Sequence, residues 1–184
     1  TLFRPIGEIL LEENRVNSKE LDKALKAQKA NFEFKLGEIL VAAGTITQDQ
    51  VNEALAIQEK NSSKRLGQIL VEMGLVSEEM LALAVALKYG LPYVDLRDYP
   101  VEPGAIKCVS SSLARKLNVL PLQIVDKKLT VAFADPTNLD PKRDLSFHTG
   151  KQIKEVVASG DSIRAAINRF YGINGDSYLE KLLT

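Results

Sequence analysis

A 30-residue repeat constrains the fold of this chain more than any other feature of its sequence. Residues 35–58 recur as residues 65–88 without a gap, and Gly37 and Gly67 hold the same position in the two copies. A less regular first copy precedes them, with Gly7 at that position. A fixed period of this length is typical of supersecondary units that stack on one another.

Each copy has the pattern of a short helix, a glycine and a second helix. In the third copy, Leu66, Ile69, Leu70 and Met73 share one helical face, and Gly74 follows where a left-handed helix end is expected. The second copy repeats this pattern. The sequence therefore predicts tandem helical hairpins.

The second helix of each copy begins at a predicted N-cap. Thr47 with Gln50 has the spacing of a capping box, as has Asn17 with Glu20, while Ser77 alone caps the third copy. These caps share the repeat period, so the helix starts are expected at equivalent positions.

A long polar side chain ends the apolar stripe of each second helix. Gln28, Gln58 and Lys88 stand where a core residue is expected. A polar group at the end of a buried stripe needs hydrogen-bond partners from the protein, water or a ligand. This position is therefore a candidate for ligand recognition.

The pattern changes after the third copy, where Gly90 and Pro92 indicate an extended connector. The predicted fold class is α+β: N-terminal tandem helical-hairpin repeats followed by a small three-stranded α+β subdomain. The predicted parts are a degenerate first repeat over 1–30, tandem repeats over 31–90, a connector over 91–109, the α+β subdomain over 110–172 and a linker over 173–184.

The α+β subdomain has a predicted element order of helix, two strands, helix, strand and helix. The elements are a helix over 111–117, strands over 119–125 and 129–134, a helix from the turn at 135–138 to about 148, a strand over 152–158 and a helix over 161–171.

Composition excludes several classes of function. The net charge is zero, whereas a nucleic-acid groove needs a concentrated basic field. The single cysteine, Cys108, and single histidine, His148, predict neither a metal cluster nor a nucleophile with a base, so we expect no catalytic residue and no metal.

The longest apolar run is far shorter than the roughly 20 residues that span a bilayer. No signal peptide is visible, so a cytoplasmic location is expected.

The start of each copy suits an anionic ligand. Lys35 and Arg65 place a cation beside backbone N–H groups at a helix start, and Gly37 and Gly67 would let a flat group approach. Arginine can also stack on a base or read a guanine edge, and Gln58 offers a donor and an acceptor. Two half-sites in tandem match the symmetry of a cyclic dinucleotide. Alternatively, the glycines serve only the packing of a protein-binding helical solenoid.

These motifs resemble a known family. Residues 35–58 and 65–88, followed by residues 90–96 and 134–138, are similar to the N-terminal domain of the type II secretion and type IV pilus assembly ATPases. The form with tandem Arg-Leu-Gly to Gln motifs is the MshEN domain, a receptor for cyclic di-GMP. The resemblance covers roughly residues 35–172.

The resemblance implies a set of ligand-binding residues. The family's arginines fall on Lys35 and Arg65, its terminal glutamines fall on Gln58 and Lys88, and Asp135 of the second subdomain is implied to reach the ligand. The whole implied set is Lys35, Leu36, Gly37, Val51, Leu55, Gln58, Arg65, Leu66, Gly67, Gln68, Leu81, Val85, Lys88 and Asp135.

Two departures from the family pattern change the chemistry of this set. Lys35 replaces arginine, which removes planar stacking and the bidentate fork. Lys88 replaces glutamine, which keeps donors and removes the acceptor. An alternative working pair is the first and second copies, using Arg4, Gly7 and Gln28 with Lys35, Gly37 and Gln58. Against that alternative, Pro5 occupies the basic position of the first copy and Arg4 lies one residue out of register.

By this resemblance the chain is the regulatory part of a longer ATPase, binding cyclic di-GMP and coupling its level to a secretion or pilus motor. It has no Gly-x-x-x-x-Gly-Lys-Ser/Thr sequence, so we do not expect it to hydrolyse ATP itself. The family implies a hexameric parent, cytoplasmic or inner-membrane platform proteins as partners, and neither nucleic-acid binding nor direct membrane insertion. The alternative function is a nucleotide-independent docking module that recruits the ATPase to its platform partner.

Overall fold

The computed structural model describes residues 35–172, which divide into a tandem helical unit (residues 35–91) and an α+β unit (residues 92–172). The helical unit consists of α1 (Leu36–Ala42), α2 (Gln48–Lys60), α3 (Leu66–Glu72) and α4 (Glu78–Tyr89). The α+β unit consists of α5 (Pro103–Lys107), α6 (Ser111–Leu117), β1 (Val119–Val125), β2 (Lys128–Phe133), α7 (Leu139–Thr149), β3 (Gln152–Val157) and α8 (Gly160–Tyr171). The predicted α+β fold class is confirmed. The predicted first repeat, including its Asn17 cap, lies outside the described residues.

The second and third copies of the repeat fold alike. α1 and α3 are each followed by a glycine, Gly44 or Gly74, with φ of +69°. In both copies the next amide donates to the carbonyl five residues earlier, at 3.0 Å. This left-handed ending satisfies carbonyls that the helix itself leaves unpaired. The hydroxyls of Thr47 and Ser77 cap α2 and α4 as predicted, accepting from backbone N–H groups at 3.3 and 3.2 Å.

The core of the helical unit is built from equivalent positions of the two copies. α1 and α3 each pack against both α2 and α4. The apolar face of one copy is therefore buried against the other, which explains why one helical hairpin alone could not bury its apolar face. The buried pairs are Leu40 with Leu70, Ile46 with Val76, and Ala54 with Ala84.

The α+β unit is organised around a sheet of order β1-β2-β3. β1 and β2 form an antiparallel hairpin, and β2 begins one residue earlier than predicted because Lys128 pairs with Val125. β2 and β3 are parallel, so α7 serves as the crossover between them. α8 packs against β1 and β2. The largest fully buried side chains of this unit are Phe133, Leu96, Leu120, Leu122, Leu129, Leu145, Ile163, Ile167 and Val94.

The predicted connector over 91–109 contains a helix that the sequence analysis did not predict. Pro103 begins α5, and at the first position of a helix the missing proline N–H costs nothing. Just before it, Glu102 donates its N–H to the Leu122 carbonyl at 2.8 Å, and its carboxylate accepts from Ile124 N–H at 3.0 Å. The connector therefore pairs with the outer edge of β1, a place where a sheet is otherwise open to unwanted pairing.

Two buried tyrosines of the α+β unit differ in the partners of their hydroxyls. The Tyr171 hydroxyl lies 2.9 Å from the Val109 carbonyl and 3.2 Å from that of Ile106, and donates to this pair. The Tyr99 hydroxyl is buried and has no hydrogen-bond partner among the described residues. The two side chains are 7 % and 6 % exposed, so burial itself does not distinguish them.

Removing these two hydroxyls should therefore have different effects. We expect Tyr171→Phe to lower the free energy of unfolding by about 1–2 kcal/mol, because the buried Val109 carbonyl loses the hydroxyl that donates to it. Tyr99→Phe should leave it unchanged or raise it by up to about 1 kcal/mol, because a buried hydroxyl without a partner is removed. Urea denaturation of both variants measures the difference, and equal losses would contradict this account.

Candidate functional site

The two predicted cations stand at equivalent places, as the N-cap residues of α1 and α3. Lys35 and Arg65 have extended backbones and exposed side chains. The Lys35 N–H donates to Glu38 Oε2 at 3.1 Å, and the Arg65 N–H donates to Gln68 Oε1 at 3.2 Å. This half of a capping box engages only the backbone of the N-cap residue and leaves its charged side chain outside the helix. Gln68, a member of the implied ligand set, has this structural role here.

Gly37 and Gly67 are buried, and side chains of the protein itself fill the space beside them. A Cβ added at Gly37 would lie 2.8 Å from Val51 Cγ1, and one added at Gly67 would lie 2.7 Å from Leu81 Cδ1. Leu36 reaches the second position too, with its Cδ2 at 3.4 Å. In this structure the glycines therefore allow helices to pack closely, rather than presenting an open surface to a flat group.

The apolar residues of the implied set differ in exposure. Leu55 is the most open, with 40 % of its surface exposed on α2, three residues before Gln58 on the same helix face. Val51 is 5 % exposed and belongs to the core. The half-buried apolar members of the set are Leu36, Leu66, Leu81 and Val85.

Gln58 meets the predicted need for a hydrogen-bond partner inside the protein. Its Nε2 donates to the carbonyl of Lys64 at 3.0 Å. Because Lys64 directly precedes Arg65, the bond joins the polar end of the second copy to the cation that starts the third. Its counterpart Lys88 has other surroundings, since its ammonium lies 5.3 Å from the centroid of the Tyr89 ring, a cation–π contact.

Two residues beside this junction were not predicted from the sequence. The ammonium of Lys64 contacts Glu72 Oε1 and Oε2 at 2.9 and 2.7 Å. The repeat could not have indicated this ion pair, because the second copy has Ala42 at the position of Glu72. The one available signal was a lysine directly before the Arg-Leu-Gly motif.

Asp135, the remaining member of the implied set, lies in the α+β unit. Its Oδ1 accepts from the Thr137 N–H at 2.9 Å in the turn before α7. Its implied reach to a ligand stays a prediction.

Within residues 35–172, no group of three or more His, Cys, Asp or Glu side chains is placed to hold a metal ion. In the same range, no helix has the length and apolar character needed to cross a membrane.

Comparison with solved structures defines the class of domain. A structure of MshE with cdg matches this chain with a TM-score of 0.66 and 28% identity, covering 76% of this chain and 100% of that chain. A structure of the N-terminal domain of XpsE matches with a TM-score of 0.63 and 26% identity, covering 77% and 97%. The chain therefore has the α+β fold of these two domains.

Comparison with families and curated proteins makes the resemblance more specific. Residues 89–176 match the family model of the MshEN domain. The type IV pilus assembly ATPase PilB of Myxococcus xanthus is 44% identical over 90 residues, which cover 49% of this chain and 16% of that protein. PilB of Thermus thermophilus is 34% identical over 94 residues, covering 48% and 11%. The predicted resemblance to the MshEN domains of pilus and secretion ATPases is confirmed, and the match spans less than a fifth of either relative.

The family match and the tandem repeat occupy different parts of the chain. The matched stretch begins at Tyr89, the last residue of α4, and so covers the α+β unit. The structural match to MshE covers 76% of the chain, which is more than residues 89–184 could supply. It therefore includes part of the helical unit as well, where all the candidate ligand residues except Asp135 lie.

Proposed function

We propose that the tandem helical unit binds cyclic di-GMP, and that the domain couples the level of this second messenger to an assembly ATPase of a type IV pilus or type II secretion system. The observation that carries the proposal is the match to MshE with cdg, which covers the whole of that chain. The relatives named as pilus assembly ATPases support the second half of the proposal. On this proposal the domain is cytoplasmic and senses a ligand rather than catalysing a reaction.

The exposed side chains of the helical unit have the chemistry that such a ligand needs. Cyclic di-GMP carries two phosphates and two guanines in twofold repetition, and the repeat offers two exposed cations at equivalent positions, Lys35 and Arg65. Either cation can pair with a phosphate, and a guanidinium can also stack on guanine or bond to its O6 and N7. Leu55 adds exposed apolar surface for the face of a base.

The two halves of the proposed site are not equal in strength. Arg65 has both stacking and bidentate hydrogen bonding, whereas Lys35 supplies a point charge. Gln58 lies beside the start of the third copy through its bond to Lys64. The half that contains Arg65 should therefore contribute most of the discrimination between guanine and other bases.

Arg65→Ala should weaken cyclic di-GMP binding by about tenfold or more, because it removes a charge-assisted contact that no other residue of that half replaces. Calorimetric titration of the folded protein measures the change, with GTP and cyclic di-AMP as ligand controls. Arg143→Ala removes an exposed arginine from α7 of the other unit and serves as the matched variant, with binding expected to stay unchanged.

The opposite result is equally informative. If cyclic di-GMP produces no heat while thermal melting shows a folded protein, the binding function is wrong for this chain. The domain would then be assigned to nucleotide-independent docking on a protein of the secretion or pilus platform.

A further inference from the structure

The loop between α2 and α3 is fixed at the residue that precedes Arg65. The Lys64 carbonyl accepts from Gln58 Nε2 at 3.0 Å, and its ammonium forms the ion pair with Glu72 at 2.7 Å. Its N–H donates to the Asn61 carbonyl at 3.2 Å. Lys64 is thus held through its N–H, its carbonyl and its side chain, although it lies outside regular secondary structure.

Holding Lys64 also fixes the backbone from which the Arg65 side chain leaves. The bonded carbonyl belongs to the peptide that joins these two residues, so its orientation sets the plane of the Arg65 N–H. That N–H in turn donates to Gln68 Oε1 at 3.2 Å, which caps the N-terminus of α3. A guanidinium that must meet a base in one plane loses less freedom on binding when its backbone is already oriented.

We propose that Gln58 is a positioning residue for Arg65: its amide N–H orients the Lys64–Arg65 peptide and so places the guanidinium that receives the ligand. This inference rests on the cyclic di-GMP function proposed above. It differs from direct recognition in the chemistry that position 58 needs. Bonding to a carbonyl needs only a donor, whereas reading the donor edge of a guanine needs an acceptor.

The third copy of the repeat suggests the discriminating substitution. Lys88 stands at the position equivalent to 58, and lysine has donors and no acceptor. Gln58→Lys therefore keeps the donor that positioning uses and removes the acceptor that reading the donor edge of a guanine needs. Gln58→Leu removes both, and Gln58→Glu turns an acceptor toward the carbonyl.

Titration of the four proteins with cyclic di-GMP separates the two roles. We expect Gln58→Lys to bind within about threefold of the wild type, and Gln58→Leu and Gln58→Glu to bind about tenfold or more weakly. In an Arg65→Ala background, Gln58→Leu should have no further effect, because its action passes through Arg65. Binding lost equally in Gln58→Lys and Gln58→Leu, or additive losses with Arg65→Ala, would overturn the proposal.

A measurement without ligand keeps this test independent of the proposed function. The amides of Gln68 and Ile69 donate to the Arg65 carbonyl at 3.0 and 3.2 Å, so their hydrogen exchange reports how well the start of α3 is held. Gln58→Leu should accelerate exchange at both amides by about tenfold, and Gln58→Lys should not. Gln48→Leu, at an exposed glutamine of α2, is the matched control.

The two measurements together assign each failure to its cause. If the wild type does not bind cyclic di-GMP but Gln58→Leu exchanges faster, the ligand function is wrong and the orienting hydrogen bond is established. If exchange is unchanged in Gln58→Leu, the positioning role is wrong, whatever the ligand titration gives.

Discussion

Replacing Leu70 with alanine is expected to lower the free energy of unfolding of the tandem helical unit by about 2–5 kcal/mol. Leu70 is completely buried on α3, in the core formed by the two copies of the repeat. Truncation removes apolar contacts and leaves a cavity that rigid helix packing closes only in part. The unit is small, so this loss is a large share of its stability.

Leu55→Ala is the matched control for this prediction. The chemical change is the same, but Leu55 is 40 % exposed on α2, so the expected loss is within about 1 kcal/mol. Urea denaturation followed through amide signals of residues 36–89 reports on the helical unit. Equal losses in the two variants would contradict the assignment of Leu70 to the core.

The repeat predicted the helical unit well because its signals are local. The glycines after α1 and α3 and the hydroxyls that cap α2 and α4 each act within a few residues of their own position. Each helix end can therefore be predicted from its own residue, namely Gly44, Gly74, Thr47 or Ser77. Because the period repeats each of these signals, a helix end predicted in one copy supports the equivalent helix end in the other copy.

The contacts between elements were less predictable, because they join residues that no local pattern relates. α5 lies inside the predicted connector, and its five residues give too short a pattern to predict a helix, although proline is well suited to the first position of one. The pairing of Glu102 with the edge of β1 joins residues about twenty positions apart. Such contacts depend on where the tertiary fold places the connector relative to the sheet, which local sequence patterns do not specify.

The candidate site shows the same limit. The repeat correctly indicated that Lys35 and Arg65 occupy equivalent places at helix starts. It could not show that Gln58 bonds to the residue before Arg65. That residue lies between two copies, where the repeat pattern gives no information. Whether the implied set binds a ligand stays a prediction.

The glycine positions give the second large expected effect. Gly37→Ala should lower the free energy of unfolding of the helical unit by about 1–3 kcal/mol, because overpacking a filled space forces neighbours to move. The new methyl would lie 2.8 Å from Val51 Cγ1, and Val51 is β-branched and 5 % exposed, so it has little freedom to turn aside. The higher helix propensity of alanine, about 1 kcal/mol, offsets only part of this cost.

Gly67→Ala should cost less, although the contact is nominally closer. Its methyl would lie 2.7 Å from Leu81 Cδ1, the end of a longer and half-buried side chain that can change rotamer. A double-mutant cycle tests the cause: in a Val51→Ala background, which clears the space, Gly37→Ala should lose most of its cost. Thermal or urea unfolding of the four proteins measures the coupling. If Gly37→Ala is equally costly with and without Val51, helix packing is not the reason this position of the repeat is a glycine.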